Sequence, residues 1–142
     1  MATVGDIINA ESSEWRFSEI SGANFDRHIK RSIPFYDEGH RLISEVSDYF
    51  IKENSVCYDL GCSTGHLAAI LAKRHRKKQP KIIGIDKEQN MVKEAESNCA
   101  QLGGVEIVIG DICNFRYLPS DLVIAHYTIQ FLEIDARPRL FK

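Results

Sequence analysis

The chain has 142 residues, of which 44% are hydrophobic and 27% charged, a size and composition typical of one globular domain. A net charge of −2 gives no reason to expect a nucleic-acid or membrane surface as the main partner. The apolar runs are too short to span a bilayer, and residues 1–14 lack the pattern of a signal peptide. We therefore expect a cytoplasmic protein.

The first third of the chain is predicted to be helical after a weakly patterned start. Residues 1–24 are expected to form a loosely ordered arm, and residues 25–31 a short helix. Residues 37–52 predict an amphipathic helix on apolar periodicity alone. The apolar residues that recur there at helical spacing are Leu42, Ile43, Val46, Tyr49 and Phe50. Together these helices would be a cover over the rest of a single domain.

Four apolar runs then predict strands, at residues 56–60, 81–86, 105–109 and 121–125. Helical patterns at about residues 65–76 and 88–102 connect the first three. This alternation predicts an α/β fold with a parallel, doubly wound, Rossmann-like sheet of strand order 3-2-1-4. The sheet would be truncated after its fourth strand. We expect that strand to be covered by more of a longer protein or by another subunit in a homo-oligomer.

Polar residues follow the strands where their carboxyl ends should meet. Asp59 ends the first strand and precedes a turn that contains Gly61, Cys62, Ser63 and Gly65. Such a turn lets a ligand approach bare backbone at a helix start. The residues that follow the other strands are Asp86, Asp111, His126 and Tyr127. Since ligands of such sheets bind outside the carboxyl ends of the strands, these residues predict one site.

The chemistry of this set favours an adenosyl ligand. A carboxylate about twenty residues beyond the turn, here Asp86, is placed to accept hydrogen bonds from ribose hydroxyls. Asp111 could accept a hydrogen bond from the exocyclic amine of adenine. The turn reads G-x-S-x-G rather than G-x-G-x-x-G, and a pyrophosphate would be repelled by so many carboxylates. S-adenosylmethionine, which has ribose, adenine and an amino-acid tail but no phosphate, fits best.

Four cysteines complete the inventory of reactive groups. They form no C-x-x-C pair, and no Cys/His cluster has the spacing of zinc ligands, so we expect free thiols and no metal site. His126 could act as a base, although a packing role at the strand end is at least as reasonable. Tyr127 is the second catalytic candidate. His66 and Tyr58 are interpreted as structural.

The motifs resemble those of class I S-adenosylmethionine-dependent methyltransferases, at residues 56–67, 82–87 and 109–112. One branch is more similar still: the carboxy-S-adenosylmethionine synthases, which make a carboxylated cofactor used to modify the wobble uridine of tRNA. The segments that carry this similarity are residues 25–26, 31–36, 58–63, 110–112 and 128–133.

The resemblance implies a role for each matching residue. Tyr36 would contact the cofactor from the N-terminal region, and the turn at Gly61, Cys62 and Ser63 would surround its amino-acid tail. The ribose would lie at Asp86 and Lys87, and the adenine at Asp111 and Ile112. The asparagine that the branch has after the fourth strand is His126 here, and its arginine for the extra carboxylate lies downstream of residue 142.

We therefore expect an S-adenosylmethionine-dependent methyltransferase with an unidentified acceptor, either a small molecule or related to tRNA. A carboxy-S-adenosylmethionine synthase-like enzyme is the first alternative. The second is a module that binds the cofactor, or only a partner, without catalysis. A nicotinamide-dependent oxidoreductase is a weaker alternative because the dinucleotide fingerprint is missing.

Overall fold

The structure is a computed structural model that describes residues 22–141, with side chains from residue 24. The predicted arm lies outside the described residues, except for its last three positions, which begin the first helix. The helices are α1 (Gly22–Ser32), α2 (Tyr36–Val46), α3 (His66–Arg74) and α4 (Gln89–Cys99). The strands are β1 (Val56–Leu60), β2 (Lys81–Asp86), β3 (Val105–Ile109) and β4 (Leu122–Ile124). Short 3-10 turns occupy Ser47–Tyr49, Ile129–Phe131 and Arg137–Phe141.

The four strands form one parallel sheet of order β3-β2-β1-β4, as predicted. Asp59 is paired with Gly84 on one side and with Ile124 on the other, so the carboxyl ends of the strands form a common edge. The bounds of β1, β2 and β3 are those predicted, because apolar runs limited by turn residues define strands clearly. β4 is shorter than the predicted residues 121–125.

Alternate residues of the central strands face opposite sides of the sheet. Cys57 and Ile82 pack on one side against Leu67 and Leu71 of α3. On the other side, Ile112 in the chain that follows β3 packs against residues of β1 and β2, which are Tyr58, Leu60, Ile83 and Ile85. Because both sides are covered by apolar groups, the middle of β1 and β2 is almost fully buried.

The prediction for residues 37–52 is wrong in its end and in its buried side. The α-helix ends at Val46, and its buried residues are His40 and Ser44, with Ser47 just beyond. The predicted apolar stripe is mostly exposed, with Leu42 at 59% and Tyr49 at 79%. Within the predicted stripe only Ile43 is partly buried against the core, whereas the polar His40, Ser44 and Ser47 are buried.

β4 is an edge strand in the described part of the chain, paired only with β1. Val123, at its centre, is 52% exposed. None of the helices between residues 22 and 141 is long and apolar enough to cross a membrane.

Candidate functional site

A cleft opens at the carboxyl edge of the sheet, where the sequence predicts a ligand. Its floor comes from the ends of β1, β2 and β3, and its walls come from α1, α2 and the chain after β4. The predicted site residues that line it are Tyr36, Gly61, Ser63, Asp86, Lys87, Asp111, Ile112, His126 and Tyr127. Asp59, Cys62 and Gly65 do not line it.

The glycine turn is held against β2 by its backbone. The N–H groups of Gly61 and Cys62 both donate to the carbonyl of Ile85, at 2.8 and 3.0 Å. Gly61 has φ +69°, and a Cβ there would lie 2.6 Å from Cγ2 of Thr128. Glycine is required at this position because any side chain would be strained and would collide with Thr128. The turn therefore presents bare backbone to the cleft.

Asp86 joins the turn to the end of β2. Its carboxylate accepts hydrogen bonds from the N–H of Ser63 at 2.8 Å and from the N–H of Glu88 at 3.0 Å. Burial raises the pKa of Asp86, while these hydrogen bonds act in the opposite direction. Each carboxylate oxygen accepts more than one hydrogen bond, so Asp86 still has acceptor capacity toward the cleft.

Asp111 and Ile112 form the part of the cleft beyond β3. The Asp111 carboxylate accepts from the N–H of Cys113 at 2.9 Å and from the side-chain amide of Asn114. This turn places the buried Ile112 at the cleft as an apolar surface suited to a flat ring. Asp111 is therefore both a turn-forming residue and a wall of the cleft.

Asp59 lies beneath the cleft and is 3% exposed. Its Oδ2 is buried and has no hydrogen-bond partner among the described residues. Burial, followed by the nearby Asp86 carboxylate, raises the pKa of Asp59 to about 7. A cationic group in the cleft above would favour the ionised form of Asp59.

Cys62 and Gly65 support the turn from behind. Cys62 is buried, and its Sγ would lie 3.0 Å from a Cβ at Gly84 of β2. Gly65 has φ +76° and lies so close to α4 that a Cβ would meet Ala95 at 3.0 Å. The two residues fix the approach of the turn to β2 and α4 and do not face the cleft.

Aromatic rings close the cleft on the side of α2 and β4. The ring of Tyr36 lies 5.6 Å from that of His126 and 6.2 Å from that of Tyr127, centroid to centroid. Burial, with lesser effects from nearby aspartates, raises the pKa of Tyr36, so its hydroxyl stays protonated. Burial lowers the pKa of His126, whose Nδ1 has no partner in the described part of the chain. The hydroxyl of Tyr127 donates to the carbonyl of Pro34 at 3.2 Å.

Sequence reasoning missed most of the apolar wall. Phe25 and Ile29 of α1 pack with Met91 of α4 into a small cluster at the cleft. The helical spacing of Phe25 and Ile29 can indicate that one side of α1 is buried. It cannot indicate which element covers that side. Thr128 was also missed; its hydroxyl donates to the carbonyl of Leu60 at 2.7 Å and fixes the chain after β4 over the turn.

The ionisable side chains that line the cleft, apart from His126 and the tyrosines, are three carboxylates and one lysine: Asp86, Glu88, Asp111 and Lys87. This excess of negative charge favours a ligand with positive charge and opposes one with a pyrophosphate.

The family-level comparison agrees with this geometry. Residues 57–142, more than half of the chain, match the family described as methyltransferase domain. The chain belongs to this methyltransferase domain family. The match begins in β1 and includes the glycine turn, Asp86 and Asp111.

Relatives of this methyltransferase-domain chain include a carboxy-S-adenosyl-L-methionine synthase from Wolinella succinogenes, 37% identical over 125 residues. That alignment covers 84% of this chain and 50% of the relative. A second synthase, from Sulfurimonas denitrificans, is 33% identical over 134 residues. That alignment covers 94% of this chain and 57% of the synthase. The chain thus spans about half to three-fifths of the length of these curated relatives.

Solved structures share the fold. A TehB-like S-adenosylmethionine-dependent methyltransferase from Corynebacterium glutamicum superposes with a TM-score of 0.62 at 21% identity, covering 84% of this chain and 62% of that one. Phosphoethanolamine N-methyltransferase 1 from Haemonchus contortus, in complex with phosphoethanolamine and S-adenosylhomocysteine, has a TM-score of 0.60 at 17% identity. That similarity covers 73% of this chain and 22% of the other.

Proposed function

We propose that the cleft binds S-adenosylmethionine and that the chain is the cofactor-binding part of a methyltransferase with an unidentified acceptor. The observation that carries this proposal is the combination of a bare glycine turn with an excess of carboxylates at one cleft. S-adenosylmethionine carries a sulfonium and an ammonium against a single carboxylate, so its net charge complements that of the cleft.

The parts of the cleft correspond to the parts of this ligand. Asp86 has acceptor capacity for ribose hydroxyls at the end of β2, and Ile112 offers an apolar surface for the adenine. The bare backbone at Gly61 suits the close approach of the amino-acid tail. The tail ammonium would come near the buried Asp59, whose Oδ2 has no partner among the described residues.

The chain's own residues would then act mainly by orientation. When bound, S-adenosylmethionine supplies an activated methyl group. Tyr36, His126 and Tyr127 form the wall where an acceptor would approach. Since burial lowers the pKa of His126, its imidazole is neutral near pH 7 and able to take a proton from an acceptor. In-line placement of a good nucleophile needs no base, so positioning is the larger contribution.

The substitution Asp86→Asn tests the ribose contact. It removes the charge that strengthens hydrogen bonds to hydroxyls, so we expect affinity for S-adenosylhomocysteine to fall roughly 10- to 100-fold. Titration calorimetry measures this change. Asp135→Asn is the matched control, since Asp135 is exposed and does not line the cleft. Equal affinity of Asp86→Asn and wild type, with both folded by circular dichroism, would contradict the assignment.

A second candidate is a carboxy-S-adenosylmethionine synthase, supported by the names of the relatives that are 30–37% identical. Mass spectrometry of the nucleoside released from the purified protein distinguishes the two. A species heavier than S-adenosylmethionine by one carboxyl group favours the synthase, and the unmodified cofactor favours the methyltransferase. Cofactor without turnover on any acceptor, small molecule or tRNA, would indicate a binding module.

We also infer that the protein works in a reducing compartment such as the cytoplasm. All four cysteines are free thiols, and three of them are buried. Burial raises the pKa of Cys57 to about 12 and also raises that of Cys62, so both stay protonated and unreactive.

A further inference from the structure

Behind the aromatic wall of the cleft, two histidines and an aspartate converge. Asp37 and His40 lie three residues apart on α2 and so share one side of that helix. His66 is the first residue of α3, directly after the glycine turn. One potential ligand atom of each of these three side chains lies within 4.8 Å of the others. None of the three lines the cleft, so the cluster is distinct from the cofactor site.

His40 is the residue that packing alone does not explain. It is 4% exposed, and its Nδ1 is buried without a hydrogen-bond partner among the described residues. A buried polar atom left unpaired destabilises the fold. The rings around His40 belong to Tyr36 at 4.4 Å, His126 at 4.8 Å and His66 at 5.4 Å, and these ring contacts supply no acceptor for that nitrogen.

We propose that Asp37, His40 and His66 bind a divalent transition-metal ion such as Zn²⁺. Imidazole nitrogens together with one carboxylate are donors that suit zinc and its neighbours in the first transition row, and they suit Mg²⁺ or Ca²⁺ poorly. Three protein ligands leave at least one position for water. Residue spacing does not reveal this site, because His66 is remote from the other two residues along the chain.

The cluster needs only local adjustment to hold an ion. Ligand atoms of a tetrahedral zinc site lie about 3.3 Å apart, as follows from bond lengths near 2.0 Å. The ligand atoms now lie up to 4.8 Å apart, so the side chains must rotate to reach that spacing. The exposed Asp37 and the half-buried His66 have room to do so. Lys30 faces the cluster from α1, with its Nζ 3.2 Å from Oδ1 of Asp37, and this exposed ammonium would share the carboxylate or move away.

A metal at this point would connect α2 to the start of α3. Tyr36 precedes Asp37, and Gly65 of the glycine turn precedes His66, so both neighbours of the site belong to the cofactor region. The ion would thereby fix the aromatic wall relative to the turn. This role is structural and rests on the cluster itself, whether or not the cleft binds S-adenosylmethionine.

The test is zinc binding by the untagged chain, stripped with a chelator and titrated with Zn²⁺ in a calorimeter without any nucleoside. We expect one equivalent to bind and the melting temperature to rise as zinc is added. His66→Gln should weaken binding at least about 100-fold, since loss of an outer-shell partner alone costs 10- to 100-fold. Asp37→Asn should weaken it as well, and Mg²⁺ should give no heat.

His28→Gln is the matched control, because His28 is half-buried on α1 and outside the cluster. It should bind zinc as the wild type does. Co²⁺ in place of zinc should give visible d–d bands without a thiolate charge-transfer band, which excludes ligation by Cys113. No heat with zinc, or equal zinc affinity in wild type and His66→Gln, would overturn the proposal.

Discussion

The protonation of Asp59, below the cleft, affects the free energy of unfolding. Its folded pKa, about 7, is above the ordinary value of 3.8. The stability that this raised pKa contributes is fully present below about pH 4 and is lost as pH rises through 7. We expect the free energy of unfolding of the ligand-free protein to decrease by on the order of 1–4 kcal/mol over this window through this group.

Asp59→Asn isolates that contribution. The amide does not ionise, so the variant should show a flatter dependence of stability on pH than the wild type between about pH 4 and 8. Urea denaturation at several pH values measures it, and titrating groups that do not interact with Asp59 cancel in the difference. Parallel curves for the two proteins would show that Asp59 is not the group that titrates.

Gly61 tests how strictly the turn is specified. Gly61→Ala requires an alanine at φ +69° and a Cβ 2.6 Å from Cγ2 of Thr128, so we expect a loss of about 2–4 kcal/mol in the free energy of unfolding. Gly103→Ala is the control, since a Cβ there meets nothing within 4 Å and its effect should stay within about 0.5 kcal/mol. Similar losses for both variants would contradict the steric argument.

At the residue scale, the sequence predicted the polar residues of the cleft better than its apolar wall. Asp86, Asp111 and the turn were located because polar residues directly after apolar strands must reach one edge of a parallel sheet. Phe25 and Met91 were not assigned to the cleft, because their helices meet only through tertiary packing. Asp59 was predicted to contact the cofactor; it lies buried below the cleft and does not line it, because burial of a side chain at a strand end depends on tertiary packing.

At the scale of elements, Ser47 and His75 connect α2 to the end of α3. The hydroxyl of Ser47 donates to the carbonyl of Ser44 at 2.6 Å and lies 2.7 Å from Nε2 of His75. Since its one proton is used, the hydroxyl accepts from Nε2–H of His75. Both side chains are at most 2% exposed.

Ser47→Ala should cost about 1–3 kcal/mol because the buried Nε2–H of His75 loses its hydrogen-bond acceptor and has only Oδ1 of Asp48 nearby, at 3.8 Å. Ser97→Ala, on the exposed side of α4, should change stability by less than about 0.5 kcal/mol. Chemical denaturation of the two variants gives the comparison. A loss in Ser47→Ala no larger than in the control would show that water replaces the hydroxyl.

This pair also explains why the strands were predicted well and α2 was not. β1 and β2 are apolar runs buried on both sides, and β3 is an apolar run bounded by turn residues, so the local sequence defines all three strands. The buried side of α2 is polar, and Ser47, which directly follows α2, pairs with His75, which directly follows α3 and is 28 residues away. Apolar periodicity therefore pointed to the wrong side of the helix.

At the scale of the whole molecule, the edge of β4 is an exposed feature of the described sheet that favours association. Its backbone pairs only with β1, and Val123 is 52% exposed. Unprotected apolar edges pair with other chains. We expect sedimentation velocity to show a concentration-dependent homo-oligomer and Val123→Lys to shift it toward monomer.

Leu118→Lys is the control for this prediction, since Leu118 is 57% exposed but lies in no strand. It should leave the association unchanged. A wild-type chain that stays monomeric at all concentrations would contradict pairing through the edge.

The central claim, that the cleft takes an adenosyl cofactor without a pyrophosphate, is tested most directly by calorimetric titration of the purified chain. We predict heat and a raised melting temperature with S-adenosylmethionine and S-adenosylhomocysteine, and neither with NAD⁺. Binding of NAD⁺ in preference to both, or a folded protein that binds neither adenosyl compound, would contradict the account.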